Sequence, residues 1–219
     1  MKLSIDPALK KKCPSVALGC VTAHVRTGDS SLELLAEMNL SEGGVLKIAD
    51  PRAILEAPAI SATRAGYRAL GKDPARYRGS AEALLRRIIS GKHFPSINCV
   101  VDIINFVSVE SRLPIGLYDL ARVEGDIIFR VGRSGETYKG IGKFDLNLED
   151  LPVFCDAAGP HGSPTSDSER TMVTSATENV AAILISFGGP QPLEVWCRRM
   201  TGLMERYAEG RDLRTEVIA

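Results

Sequence analysis

Residues 97–136 read INCVVDIINFVSVESRLPIGLYDLARVEGDIIFRVGRSGE, and the choice between helix and strand for the first third of that run decides the fold. The β-branched content of residues 97–109 argues for a strand. The polar residues argue otherwise. Asn98, Asp102 and Asn105 fall at i, i+4 and i+7, a narrow polar stripe at helical spacing, whereas strand alternation would put Asn98 and Asp102 on one face and Asn105 on the other. The spacing predicts a helix. Beyond Pro114 the texture changes to short β-rich runs, DIIFRVG (126–132), ETYKGIG (136–142) and LPVFCDA (151–157), parted by glycine turns.

Outward from this run, helices crowd the N-terminal side. Residues 15–26, SVALGCVTAHVR, predict a strand, and Asp29 and Ser30 offer an N-cap to a short helix over LELLAEM (32–38). Asp50-Pro51 marks a turn or a helix start. From Pro58, the positions of Ile60, Tyr67 and Leu70 fit one helical face closed by Gly71, and Ser80 is read as the cap of AEALLRRIIS, which Gly91 stops. On the C-terminal side, 156–170 form a polar Gly/Pro/Ser loop, and NVAAILISFG (179–188) predicts a strand. In the tail, Leu193, Trp196, Met200, Leu203 and Tyr207 form the core face of an amphipathic helix. The fold class expected is α+β, mixed or antiparallel sheets with packed helices. Residues 1–219 are read as one domain: helix-rich over about 1–112, strand-rich over about 113–189, and ending in a helix over about 190–209.

Composition excludes several classes of function. The 219 residues are 44% apolar and 25% charged, with 27 basic and 27 acidic side chains, so a uniform polycationic coat is absent. The first twenty residues place Asp6, Pro7 and three lysines where a secretory leader needs an apolar run, so a cytoplasmic location is expected. No stretch reaches the ~18 apolar residues of a membrane span. The five cysteines, 13, 20, 99, 155 and 197, are odd in number and contain no C-x-x-C, so reduced core thiols are expected rather than disulfides or a zinc site. No metal and no cofactor is implied. GETYKGIGK lacks phosphate-loop spacing and reads as a β-hairpin.

Three features could carry chemistry. Residues 64–93 hold Arg64, Arg68, Lys72, Arg76, Arg78, Arg86, Arg87 and Lys92 against only Asp73 and Glu82, with Tyr67, Tyr77 and His93 interleaved. Phosphates need cations, and RNA ends stack on aromatic rings, although a solvated helical face would look the same. Asn98, Asp102 and Asn105 would form a pocket wall or a structural network, since buried polar groups need partners. The segment Ser166-Asp167-Ser168-Glu169-Arg170-Thr171 ends a long loop, where binding sites concentrate, and Glu169, Arg170 and Thr171 are the candidate catalytic groups that could orient water. His161, in the same loop, is expected to be exposed, and Thr174 with Thr177 and Glu178 to start a helical turn.

The run at 97–136 also resembles the B3/B4-type domain of the bacterial phenylalanine–tRNA ligase β subunit. The matching order is I-N-x-V-V-D-x-x-N-aromatic, then L-P, aromatic-D-L, V/I-E-G, and an apolar strand ending in Arg before a G-E-T turn, with Thr177, Asn179 and Val180 supplying a later T-x-N-V. GYRALGKDPARYRGSAEALLRR and SDSERT resemble free-standing members of that family. The resemblance implies an α+β domain holding an editing pocket that hydrolyses the ester of mischarged tRNA without metal or covalent nucleophile. It also implies pocket positions at Gly116 and Ile183, where the synthetase pattern carries a histidine and a tyrosine-reading glutamate. Loss of that glutamate removes the basis for strong tyrosine discrimination.

Two readings follow. The first is a tRNA-binding protein that edits mischarged aminoacyl-tRNA in trans, an ester hydrolase and not a full ligase. It would grip phosphates with the basic segment, and DNA and membranes are not its partners. The second is a non-catalytic pocket for a free amino acid or another small ligand.

Overall fold

Residues Cys99–Ser111 are helical, as the stripe predicts, and each polar position has a local reason. Asn98 is the N-cap, its side chain accepting from the Val101 N–H at 3.0 Å. Asp102 is fully buried, and accepts from Ser30 Oγ at 2.7 Å and from the Ile97 N–H at 3.1 Å. The helix stops at Arg112 in the left-handed conformation, φ 65°.

The computed structural model describes residues 1–48, 51–142 and 145–219. In chain order the elements are β1 (Leu3–Ile5), α1 (Pro7–Lys12), β2 (Ala17–His24), α2 (Leu32–Leu46), a 3-10 helix at Pro51–Glu56, α3 (Pro58–Ala69), α4 (Ser80–Ile89), α5 (Cys99–Ser111), β3 (Ile115–Asp119), β4 (Ile127–Val131), β5 (Thr137–Lys139), β6 (Asp145–Asn147), β7 (Pro152–Asp156), β8 (Gly159–Gly162), β9 (Asn179–Ser186), α6 (Leu193–Tyr207) and β10 (Arg211–Ile218). Asp50 and Lys143, each part of a sequence reading above, lie outside the described residues.

Two four-stranded sheets form the centre. One has the order β10-β2-β9-β3 and is antiparallel throughout; the other has the order β1-β4-β7-β8, with β1 parallel to β4. Alternation along the first sheet splits its side chains between two cores. Ala17, Val21, Ala182, Leu184, Ile115 and Leu117 face a layer of helices that includes α2, α4, α5 and α6. Leu18, Cys20, Ile183, Ile185 and Tyr118 face the second sheet, meeting Leu3, Ile127, Phe129 and Phe154. The architecture is α+β, helices on sheet on sheet. β5 and β6 form a separate antiparallel hairpin, the form expected for GETYKGIGK.

Several local expectations are corrected. The helix over 32–38 runs on to Leu46 and is capped by Ser31, whose side chain accepts from the Leu34 N–H. Gly79 caps α4, with Ser80 as its first residue. Thr174–Thr177 is a turn, not a helix start: Thr177 Oγ1 accepts from the Thr174 N–H. β1, α1 and β10 have no counterpart in the sequence reading, and β8 lies inside 156–170, the segment expected to be loop, where it pairs with β7. All five cysteines are free and buried, and burial pushes the Cys155 thiol up to about 11, which leaves it protonated rather than nucleophilic.

Candidate functional site

A cleft of about 600 Å³ opens between α5, β3 and the loop after β8. Its floor is aliphatic: Val101 and Ile104 from α5, Ile115 and Leu117 from β3. Ile97 and Ile141 stand exposed at its edge. Asn98 and Asn105 line it, together with Ser80 at the start of α4, Ser163, Ser166 and Asp167 from the loop after β8, and residues 27–29 and 172–175. Among the described lining residues the charged ones are two carboxylates, Asp29 and Asp167.

The walls are held from behind. Asp102 is the tie on one side: Ser30 and Ile97, its two donors, adjoin cleft residues 29 and 98. Burial raises its pKa, and the hydrogen bonds from Ser30 and Ile97 only partly oppose that. Glu42 of α2 holds the same segment through His93 Nδ1, at 2.9 Å, and the Phe94 N–H. On the other side three tyrosines hold the loop. Tyr67 Oη meets Thr165 Oγ1 at 2.6 Å, Tyr138 donates to Ser163 Oγ at 3.0 Å, and Tyr118 donates to Asp167 Oδ1 at 3.0 Å. The Leu117 N–H completes the grip on Asp167 at 3.1 Å. A loop rich in Gly, Pro and Ser is thus fixed by buried phenols, each with its partner.

The structure brings together only part of the candidate set. Asn98 and Asn105 line the cleft, while Asp102 supports it from behind. Gly116 and Ile183 are cross-strand partners on the opposite face of the sheet, so neither faces the cleft. A Cβ at Gly116 would collide with Tyr118 Oη, and so would one at Gly162; the two glycines form the slot that the phenol occupies. The space beside Gly116 is therefore filled by Tyr118.

Glu169, Arg170 and Thr171 lie elsewhere. They form a 3-10 turn outside the cleft lining. Arg170 makes a bidentate pair with Asp156 at 2.8 and 3.0 Å; burial alone would raise the Asp156 pKa, but Arg170 and the Glu124 N–H hold it below the usual carboxylate range. Glu169 pairs with Lys139 at 2.9 Å, and Thr171 is buried against His161 Nδ1. His161, expected to be exposed, is fully buried with its ring 4.5 Å from that of Tyr118, and burial pushes its pKa down to about 4. The residues overlooked are Asp167 and Ser166, inside a segment the sequence reading had singled out, and Ser80, whose buried hydroxyl oxygen has no hydrogen-bond partner among the described residues.

The basic segment divides. Arg64, Arg78 and Arg86 converge on buried Glu82, at 3.0, 3.5 and 2.8 Å, so three of the eight cations share one carboxylate. Arg87 donates to the His93 carbonyl, while Lys72 and Arg76 stack on the Tyr77 ring. Arg68 and Lys92 are exposed. This segment joins the cleft at Ser80, whose N–H donates to Pro164 O of the pinned loop at 2.7 Å.

The pattern of the B3/4 domain matches residues 62–190, more than half of the chain and all of the loop, α5 and β3 that build the cleft. The chain belongs to the B3/4 domain family. Curated relatives of this B3/4 protein include the phenylalanine–tRNA ligase β subunits of Paramagnetospirillum magneticum, 35% identical over 86 residues, and of Chromobacterium violaceum, 36% identical over 100 residues. Those alignments cover 38% and 45% of this chain but only 11% and 13% of the subunits, so it spans about a tenth of its relatives' length. Among solved structures, an N-terminal fragment of the phenylalanyl-tRNA synthetase β subunit from Pyrococcus horikoshii shares the fold at a TM-score of 0.52 and 14% identity, covering 96% of this chain and 49% of that one.

Among the described residues no helix is long and apolar enough to cross a membrane, and no group of three or more His, Cys, Asp or Glu side chains could hold a metal.

Proposed function

We propose that this B3/4 protein binds tRNA and takes the aminoacyl end of a mischarged tRNA into the 600 Å³ cleft, hydrolysing the ester in trans in the cytoplasm. The observation that carries the reading is the junction at Ser80, where a surface rich in Arg and Lys meets an aliphatic cleft with a fixed polar wall. Cations hold phosphates, the floor takes an amino-acid side chain, and the hydroxyl-rich wall positions water against an activated ester. Asp29, exposed in the lining, suits an ammonium group and disfavours the carboxylate that a free amino acid carries and an aminoacyl ester lacks. That charge favours an esterified substrate over the second reading, a pocket for a free amino acid. The apolar floor keeps the second reading in play for a neutral or cationic small ligand.

A deacylation assay tests the proposal. Purified protein is mixed with correctly and incorrectly charged tRNAs, and the released amino acids are identified against buffer. Faster release of at least one amino acid is expected, together with tRNA retardation in a gel that weakens steeply with salt. Retardation without release would leave a binding protein; neither would sink the tRNA reading. Asp167→Asn is expected to slow release at least tenfold, and Glu169→Ala to leave it within about twofold.

A further inference from the structure

The helix α2 is apolar on both sides. Leu34, Met38 and Val45 bury one side in the core. The opposite side carries Leu32, Ala36, Leu40 and Gly43, flanked by Leu46, and the three leucines are 83%, 79% and 54% exposed. An exposed amphipathic helix normally turns charge outward. Here the outward stripe carries no charge until Lys47.

Two helix-interior glycines add a separate observation. Gly43 and Gly44 have no positive φ, and a Cβ at either would meet nothing within 4 Å. Glycine inside a helix is destabilising relative to alanine, and within this chain neither a turn nor a close approach requires it. Close approach of another backbone would.

We infer that α2 is a homodimer seam, on which two copies of this chain pack their α2 helices antiparallel about a two-fold axis near Asn39 and Leu40. In that arrangement the stripe meets its own reverse, large residue against large and small against small. Leu32 of one copy meets Leu46 of the other, Ala36 lies opposite Gly43, and Leu40 packs at the crossing. Glu33, exposed at the N-terminal end, reaches Lys47, exposed at the C-terminal end of the second copy. A parallel pairing would set Glu33 against Glu33. The small residues on both sides of the crossing let the two backbones approach, as only Ala and Gly allow.

Sedimentation equilibrium on the intact chain from about 1 to about 500 µM tests the seam. A monomer–dimer equilibrium is expected. Leu40→Glu should weaken association at least a hundredfold with no loss of the folded monomer, because that side chain is exposed. Gly43→Ala separates the seam from ordinary helix propensity. It should raise the unfolding midpoint of the dilute monomer and weaken the dimer about tenfold, two effects of opposite sign. Glu33→Lys and Lys47→Glu should each weaken association, and the double reversal should restore it. A chain that stays monomeric to 500 µM, a dimer indifferent to Leu40→Glu, or a Gly43→Ala variant that strengthens the dimer overturns the assignment.

Discussion

The two faces of strand β3 carry opposite kinds of order. Ile115 and Leu117 point to the helical side and floor an open cleft, while Gly116 and Tyr118 point to the second sheet, into a space closed to the last atom. The open face keeps apolar surface that the fold does not need covered. The closed face spends a glycine on each side of one phenol. Alternation along a single strand therefore decides which side can receive a ligand, and a shift of one residue would exchange the two roles. The closed face still serves the open one, since Tyr118 reaches past Gly116 to hold Asp167 in the cleft wall.

The sharpest way to break the comparison is to crowd the closed face. Gly116→Ala places a methyl group against Tyr118 Oη, and the ring is held by Phe154 and His161. A loss of about 3 kcal/mol or more in urea unfolding is expected, at the upper end for overpacking. Tyr118→Phe removes the clashing oxygen along with the bond to Asp167, so the double variant should lose less than the sum of the singles. Strict additivity would mean that the slot is not what constrains residue 116.

His161 supplies the next largest effect, also on the closed face. Its pKa falls from about 6.5 unfolded to about 4 folded because burial disfavours the charged ring. Between those values the unfolded state binds more protons, so stability is complete above about pH 6.5 and declines as pH falls toward 4. The full decline is about 3 kcal/mol. His161→Phe should flatten the profile in that window, measured by denaturant midpoints at several pH values; an unchanged slope would place the titrating group elsewhere.

Much of the fold was legible because the motif residues are joints, and joints leave local patterns. Asp119 of the aromatic-D-L segment accepts from Thr177 of the T-x-N-V segment at 2.8 Å, and Arg130 makes a bidentate pair with Glu136 of the G-E-T turn at 2.6 and 2.8 Å. Asn98 and Asp102 cap and tie a helix whose spacing betrayed it. The site was less legible for the same reason. Glu169 and Arg170 look chemical in a list of residues, yet both are committed to ion pairs with residues distant in sequence, and no spacing rule reveals that. Asp167 stands two positions earlier with the same composition around it, and the bonds from Tyr118 and the Leu117 N–H set it apart. Gly116 and Ile183 come from the resemblance alone, and no pattern in the strand itself tells which of its faces is open. β10 was missed because RDLRTEVI reads as a charged tail until β2 supplies its partner.

On the open face, removing a support should do less than crowding the closed one. Asp102→Ala leaves the Ser30 hydroxyl and the Ile97 N–H without an acceptor, costing about 1–3 kcal/mol, and it frees the 97–98 wall. Asp102→Asn keeps an acceptor for one donor and should cost less than half as much. Because burial raises the folded pKa of Asp102, the ionised form is a charge the fold tolerates at a cost. Its contribution to stability falls as pH rises through the carboxylate range, and the Asn variant should lose that dependence.

The smallest effect on stability should come from the cleft edge, and it is the most informative about function. Ile97 is 62% exposed and Ile141 is 44% exposed, so a change to serine removes little buried surface and should shift unfolding by less than about 0.5 kcal/mol. Both nevertheless line the cleft. A fold that merely tolerates two exposed isoleucines would not register their loss in any assay. A cleft that closes over an apolar side chain would, because the edge excludes water from the bound group. Release of amino acid from charged tRNA is therefore expected to fall about five- to tenfold in Ile97→Ser with stability unchanged, and the same residue truncated to valine should recover most of it. Loss of stability in step with loss of release would instead make the edge part of the core, and the contrast between the two faces of β3 would then be one of degree.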